Sequence, residues 1–304
     1  MSISRRTFLK NTSLVITSAS LFSGKLSAAG NKAGEVMGIQ LYSIREDMKK
    51  DPAGTLKLLA NMGYKYVEHA NYIDRKFYGY DAKAFKKLLD GLHLKMPSGH
   101  TVMGTQHWDA AKKDFTDAWK LTVDDAAVVG QQYVISPWLD ESLRKNYDDI
   151  KAYMDIFNKC GELCKKSGMK FGYHNHDFEF IEKLNDKTIY DIILDLTDPK
   201  LVAQQMDIGN MYGAGGRALE LLQKYPGRFD SLHVKDEIKS DDKRAMSGYE
   251  STILGKGVME TKKITDLARK QGTAHFIIEQ ESYQGKTPLE CAKEDYVIMK
   301  KWGY

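Results

Sequence analysis

Lys170-Phe171-Gly172-Tyr173-His174-Asn175-His176-Asp177 is a short β-prone run that breaks into polar, chemically capable residues at its end. The same grammar recurs three times downstream. The run 202–206 leads into Asp207-Ile208-Gly209-Asn210, the run 231–234 carries His233 and leads into Lys235-Asp236, and the run 275–279 leads into Gln280-Glu281. Each of four successive strands thus delivers a His, Asp or Glu at its C-terminal end. Towards the N-terminus four more runs read as strands, at 36–42, 64–68, 92–97 and 132–136. Between the strands lie stripes at helical spacing, such as Leu56, Leu59 and Met62, or Ile150, Met154, Phe157, Cys160 and Leu163. Gly63, Gly91, Gly168 and Gly272 sit where a helix would end. Strand and helix alternate eight times over about 270 residues, the length and period of a single-domain (β/α)8 TIM barrel. An open doubly wound sheet would place a glycine-rich turn after its first strand, and here that strand runs into Gln40-Leu41-Tyr42-Ser43. The long polar segment 235–257 reads as a loop at the barrel's C-terminal face, where active sites sit.

The first 28 residues read as an address. Ser4-Arg5-Arg6-Thr7-Phe8-Leu9-Lys10 precedes a weakly apolar stretch and then Leu26-Ser27-Ala28-Ala29, a small-residue cleavage pattern. The arginine pair resembles a twin-arginine export signal, so 1–28 is expected to be a signal, 29–304 the barrel, and the mature protein periplasmic. The chain carries 45 basic and 41 acidic residues. Four of the basic residues and no acids fall in 1–28, so the mature chain is balanced. That argues against a nucleic-acid partner, and no membrane association is expected after cleavage. Homo-oligomerisation is left open. Cys160, Cys164 and Cys291 are too few for a disulfide framework and read as small buried apolar residues.

Two imidazoles and two carboxylates converging from strands five to eight suit one divalent metal of intermediate hardness: Mn, Zn, Co or Fe. Spacing leaves His174 against His176, and Glu279 against Glu281, undecided. From the other strand ends, Gln40, Glu68, His100, Trp138 and Lys235 are candidate substrate contacts, with Trp138 placed to stack on a sugar face. The Gly213-Ala214-Gly215-Gly216 and Gly255-Lys256-Gly257 turns could hold an anion or be plain loops.

The phrases Gly172-Tyr173-His174-Asn175-His176-Asp177-Phe178-Glu179-Phe180 and His233-Val234-Lys235-Asp236, with Gly38-Ile39-Gln40-Leu41-Tyr42-Ser43 on strand one, resemble the xylose-isomerase-like TIM-barrel superfamily and its bacterial sugar phosphate isomerase/epimerase branch. The resemblance implies a metal held by His174, Asp207, His233 and Glu279. It implies a small-molecule sugar substrate and a sugar isomerase or epimerase that moves a proton next to a carbonyl. A non-phosphorylated sugar or keto-sugar is the expected substrate of an exported protein. The alternative on the same metal site is a lyase or hydratase of a keto-sugar or 3-keto-glycoside. Ketose epimerases of the superfamily usually place Glu on strand five, where this chain has His174. Glu279 is then the expected base, with His176 or Glu179 as a second proton-transfer group.

Overall fold

A computed structural model describes residues 35–241 and 248–304. The expected export signal at 1–28 lies outside the described residues. Eight parallel strands close into a barrel: β1 Val36–Gln40, β2 Tyr66–His69, β3 Lys95–His100, β4 Tyr133–Ser136, β5 Lys170–His174, β6 Val202–Asp207, β7 Ser231–Val234 and β8 His275–Ile278. Each pairs with its neighbours in chain order, and β8 returns to β1. The outer ring comprises α1 Pro52–Met62, α2 Ala82–Gly91, α3 Asp117–Val129, α4 Tyr147–Lys166, α5 Ile189–Leu196, α6 Ala218–Lys224, α7 Thr261–Lys270 and α8 Pro288–Trp302. No helix among the described residues is long and apolar enough to cross a membrane.

Local chemistry sets the element ends. Asp51 caps α1 by accepting from the Gly54 amide, with Pro52 opening the helix, and Gly63 closes it at φ 110°. Thr287 and Glu290 form a capping box on α8, again with a proline in the first turn. The third strand begins later than its apolar pattern suggests. Leu92 caps α2 and His93 takes φ 54°, so the reversal falls there and not at Gly91, which stays helical. Strands buried on both faces carry no alternation to mark their ends, which is why the run at 92–94 reads as strand. Of the segment 235–257, expected as a loop, Asp236–Lys239 pairs antiparallel with Tyr249–Thr252 at the barrel mouth. All three cysteines are buried and free, and Cys160 Sγ accepts from Trp119 Nε1 at 3.1 Å.

The core between barrel and helices is apolar, but the barrel interior is not. Gln40, Glu68, Ser98, Gln205, Ser231 and His233 are all buried on the strands. Register explains why they meet: Gln40 lies opposite Glu68, Glu68 opposite Ser98, His174 opposite Gln205, and Asp207 opposite His233. Outside, α4 approaches the turn before β6 at Gly161, where an added Cβ would stand 2.6 Å from the Leu201 carbonyl oxygen. Gly161→Ala is therefore expected to destabilise the fold by about 1–3 kcal/mol, the usual range for overpacking. Urea unfolding checks this, and an unchanged midpoint would show that the helix can move away.

Candidate metal centre and cleft

Four side chains from consecutive strands converge. One ligand-capable atom each from His174, Asp207, His233 and Glu279 lies within 4.8 Å of the others, and all four residues are buried. The undecided pairs separate here. His174 and Glu279 join the cluster, while His176 lines the cleft above it with its ring centroid 5.1 Å from that of His174. Glu281 sits at the cleft wall, 2.6 Å from Lys235 Nζ.

Two neighbours aim the imidazoles. Glu68 Oε1 lies 2.6 Å from His233 Nε2, so the proton on that nitrogen donates to it. His233 Nδ1 is then left facing Glu279 Oε2 at 2.8 Å and Asp207 Oδ2 at 3.7 Å. Gln205 Oε1 accepts from His100 Nε2 at 2.7 Å and from His174 Nδ1 at 3.1 Å. The His174 Nε2 lone pair then points to the cluster, 3.9 Å from Asp207 Oδ2. These proton positions follow from the hydrogen-bond network. A carboxylate or amide behind each histidine is the usual support of a metal ligand.

Asp207 caps the short helix that follows it. Its Oδ1 accepts from the Gly209 and Asn210 amides at 2.9 and 2.8 Å. Its Oδ2 is buried and makes no hydrogen bond, although Lys235 Nζ lies 3.0 Å away as an ion-pair partner. Lys235 is 1% exposed and also stands 3.0 Å from Glu279 Oε2. Burial would lower its pKa, but Asp207, Glu279 and Glu281 outweigh this and hold it well above the ordinary lysine value. Burial pushes His174 well below the usual histidine range, and the His233 and His100 rings add to that, so it offers a lone pair. The donor set, the aimed His174 lone pair and the unbonded Asp207 oxygen fit a divalent metal. Glu279 and Glu68 outweigh burial and hold His233 well above the ordinary histidine value, so a cation would take the place of its Nδ1 proton.

Three expected substrate contacts lie too deep. Gln40, Glu68 and Lys235 are buried beneath the cleft and do not line it. Glu68 is instead the hub of the interior. It accepts from Gln40 Nε2 and Gln205 Nε2, both at 2.8 Å, and from Ser98 Oγ, besides His233, and it lies 3.2 Å from His100 Nε2. Burial raises its pKa, but His100 and His233 overcome that and hold it well below the usual carboxylate value. His100 and Trp138 do line the cleft.

Glu179, expected as a proton-transfer group, is fully buried behind β5. It accepts from Tyr173 Oη at 2.5 Å and from the His176 amide at 2.9 Å. It positions the His174–His176 segment and does not reach the cleft. Burial pushes Glu179 up to about 8 against those two hydrogen bonds. Raised above its unfolded value near 4.5, it contributes stability that is full below that pH and is lost as pH rises towards about 8. Glu179→Gln is thus expected to flatten part of the decline in stability over that interval, which chemical unfolding at several pH values would show. A slope identical to wild type would contradict the protonated native carboxyl.

Neither glycine-rich turn is an anion cradle. The Gly215 and Gly216 amides donate back to the Tyr212 and Met211 carbonyls. The Gly255 and Gly257 amides both donate to Asp236 Oδ2, at 2.8 and 3.1 Å. Sequence reasoning missed Gln205. A glutamine inside a strand gives no signal of its own, and only the register with His174 reveals its place.

The chain's family is evident at this point. Residues 56–302 match the model of the xylose isomerase-like TIM barrel family, to which the chain belongs. It is 26% identical over 267 residues to an inosose dehydratase of Clostridium perfringens, covering 81% of this chain and 84% of that one. A crystal structure of a sugar phosphate isomerase/epimerase from Parabacteroides distasonis superposes with TM-score 0.73 at 26% identity, covering 88% of this chain and 97% of that one. An IolI protein solved with a zinc atom shares the fold, with TM-score 0.66 at 13% identity over 88% of this chain and 98% of that one. The dehydratase and isomerase/epimerase similarities support an enzyme, and the dehydratase similarity favours the lyase alternative over the isomerase expectation.

Proposed function

We propose that the chain is a divalent-metal-dependent lyase acting on a cyclic keto-sugar or keto-polyol. It would remove the proton beside the carbonyl and expel the oxygen substituent on the next carbon. The observation that carries this reading is the unlike chemistry of the two sides of the cleft. Glu279 and Glu281 face it from the β8 side, and His100, His174 and His176 from the β3 and β5 side. Epimerisation needs two similar proton-transfer groups on opposite faces of the substrate. Elimination needs a base on one side and a hydrogen-bond donor for the departing oxygen on the other.

His174, Asp207, His233 and Glu279 would hold the metal. The metal would polarise the carbonyl and stabilise negative charge as the adjacent proton leaves. Glu279 takes that proton. Burial works against its ionisation, but Lys235 and His233 prevail and keep it lowered. Lys235 holds the Asp207 and Glu279 oxygens in place. Burial lowers His176 to about 4, with Lys235 adding to this, so at neutral pH it presents an uncharged N–H to the departing oxygen. The occupied glycine turns favour a substrate without phosphate. Mn, Zn, Co and Fe all match the donor set. The export signal proposed at 1–28 would place this activity in the periplasm.

The test is the Mn²⁺-loaded protein in D₂O with an inosose and a panel of keto-sugars, followed by NMR and mass spectrometry. A product lighter by one water, with a new conjugated carbonyl, is expected. Deuterium at the carbon beside the carbonyl in an isomeric product, with no loss of water, would return the protein to the isomerases.

A further inference from the structure

The cleft extends well beyond the metal cluster. Its volume is about 1440 Å³. Clefts that enclose drug-sized ligands span roughly 300–1000 Å³, and a single sugar ring of about a dozen heavy atoms is smaller than those ligands. The additional space has a distinct character. Ten large hydrophobic side chains are well exposed among the described residues, and five of them (Tyr42, Ile73, Val102, Leu121 and Trp138) line this one cleft. Their exposures run from 37% for Leu121 to 61% for Ile73. They come from the segments following β1, β2, β3 and β4 and from α3, so they form one side of the mouth. Exposed apolar side chains gathered in one concavity mark a binding surface.

The wall is also held in place. Tyr72 Oη donates to Asp125 Oδ2 at 2.7 Å, and Arg75 donates to both oxygens of the same carboxylate at 3.0 and 2.8 Å. These bonds tie the segment that carries Ile73 to α3, which carries Leu121. Trp138 joins the wall to the metal end, because its ring packs edge-on against His176 at 5.5 Å and His176 packs against His174.

We infer that the substrate is a keto-glycoside with an apolar, ring-shaped aglycone, and that Ile73, Val102, Leu121 and Trp138 form the aglycone subsite. The inference rests on the lyase reading for its chemistry. In a glycoside oxidised at C3, the C2 proton passes to Glu279. The C2–H electron pair forms the C1=C2 bond, and the C1–O bond breaks. The aglycone oxygen leaves with its bonding pair and takes up a proton, giving an alcohol or phenol and an unsaturated keto-sugar. No oxidant or further reactant is needed. The sugar ring lies at the metal end and the leaving group on the apolar wall.

Binding is read first, on the Mn²⁺-loaded full chain, with the 4-nitrophenyl and methyl glucosides of both anomers. These lack the ketone and cannot eliminate. For at least one anomer the aryl glycoside is expected to bind at least tenfold more tightly than the methyl glycoside. Leu121→Asp should abolish that difference without changing methyl glycoside binding. Leu58→Asp, an exposed position on α1 outside the cleft, should leave it intact. Equal affinities within twofold, or an aryl preference that survives both Leu121→Asp and Trp138→Ala, would overturn the subsite. Elimination from free keto-sugars is followed in parallel. Turnover of those sugars with no aryl preference would remove the subsite and leave the lyase. A Leu121-dependent aryl preference with no elimination from any ketone would keep the subsite and remove the lyase.

Discussion

Asp207→Ala is expected to purify with almost no bound metal and to lose more than about 100-fold in any metal-dependent activity, beyond what is usual for loss of a supporting residue alone. Two roles are lost together. The unbonded, buried Oδ2 is the oxygen available to a cation, and Oδ1 caps the helix Ile208–Gly213 through the Gly209 and Asn210 amides. Loss of the cap should lower stability by about 0.5–2 kcal/mol even without metal. Asp207→Asn separates the roles, because the amide oxygen can still cap but carries no charge. It should keep most of the metal-free stability and still bind metal weakly. Elemental analysis and unfolding with and without chelator distinguish the variants. Wild-type metal content in both Asp207→Ala and His233→Ala would remove the ligand assignment.

Glu68→Ala should be the most damaging single change to stability, costing about 3–5 kcal/mol, the range for deleting one partner of a buried charged network. The Gln40 and Gln205 amides, the Ser98 hydroxyl and the His233 ring would all lose an acceptor in a water-poor interior. Glu68→Gln retains an acceptor and should fold. Its weaker hold on His233 Nε2–H should reduce metal affinity by about 10–100-fold, the effect typical of a ligand's supporting partner. Urea unfolding of the first variant and metal titration of the second are the measurements. Wild-type stability in Glu68→Ala would mean that the interior repacks around the loss, contrary to the hydrogen bonds seen.

The clustering of His174, Asp207, His233 and Glu279 was largely legible because each strand carries a His, Asp or Glu at its end, and β5 and β7 begin and end where their apolar runs do. Depth within the barrel was not legible. Gln40 and Glu68 read as substrate contacts at strand ends, yet one residue along a strand is only about 3.3 Å, and both lie buried in the layer beneath the cleft. Glu179 shows the same limit. It was expected as a second proton-transfer group, but on the short helix Phe178–Ile181 its carboxyl turns back to the Tyr173 hydroxyl and the His176 amide. The choice of His174 over His176 depended on Gln205, thirty-one residues further along the chain from His174.

Eight alternations of apolar strand and amphipathic helix over about 270 residues, with no glycine-rich turn after the first strand, were enough to point to a closed barrel, since periodicity is local and parallel strands need crossover helices. The same pattern placed His, Asp and Glu candidates from four successive strand ends together, because strand ends of a parallel barrel must share one face. Within the sequence, His174 and Glu279 were singled out from His176 and Glu281 only by the family resemblance. Tertiary structure alone decided which groups cluster, which neighbours aim them and which residues line the cleft. Those roles depend on strand register, on proton positions set by distant partners, and on a cleft wall assembled from Ile73, Val102, Leu121 and Trp138. Such residues are ordinary apolar positions in the chain and become a surface only when the loops that carry them meet.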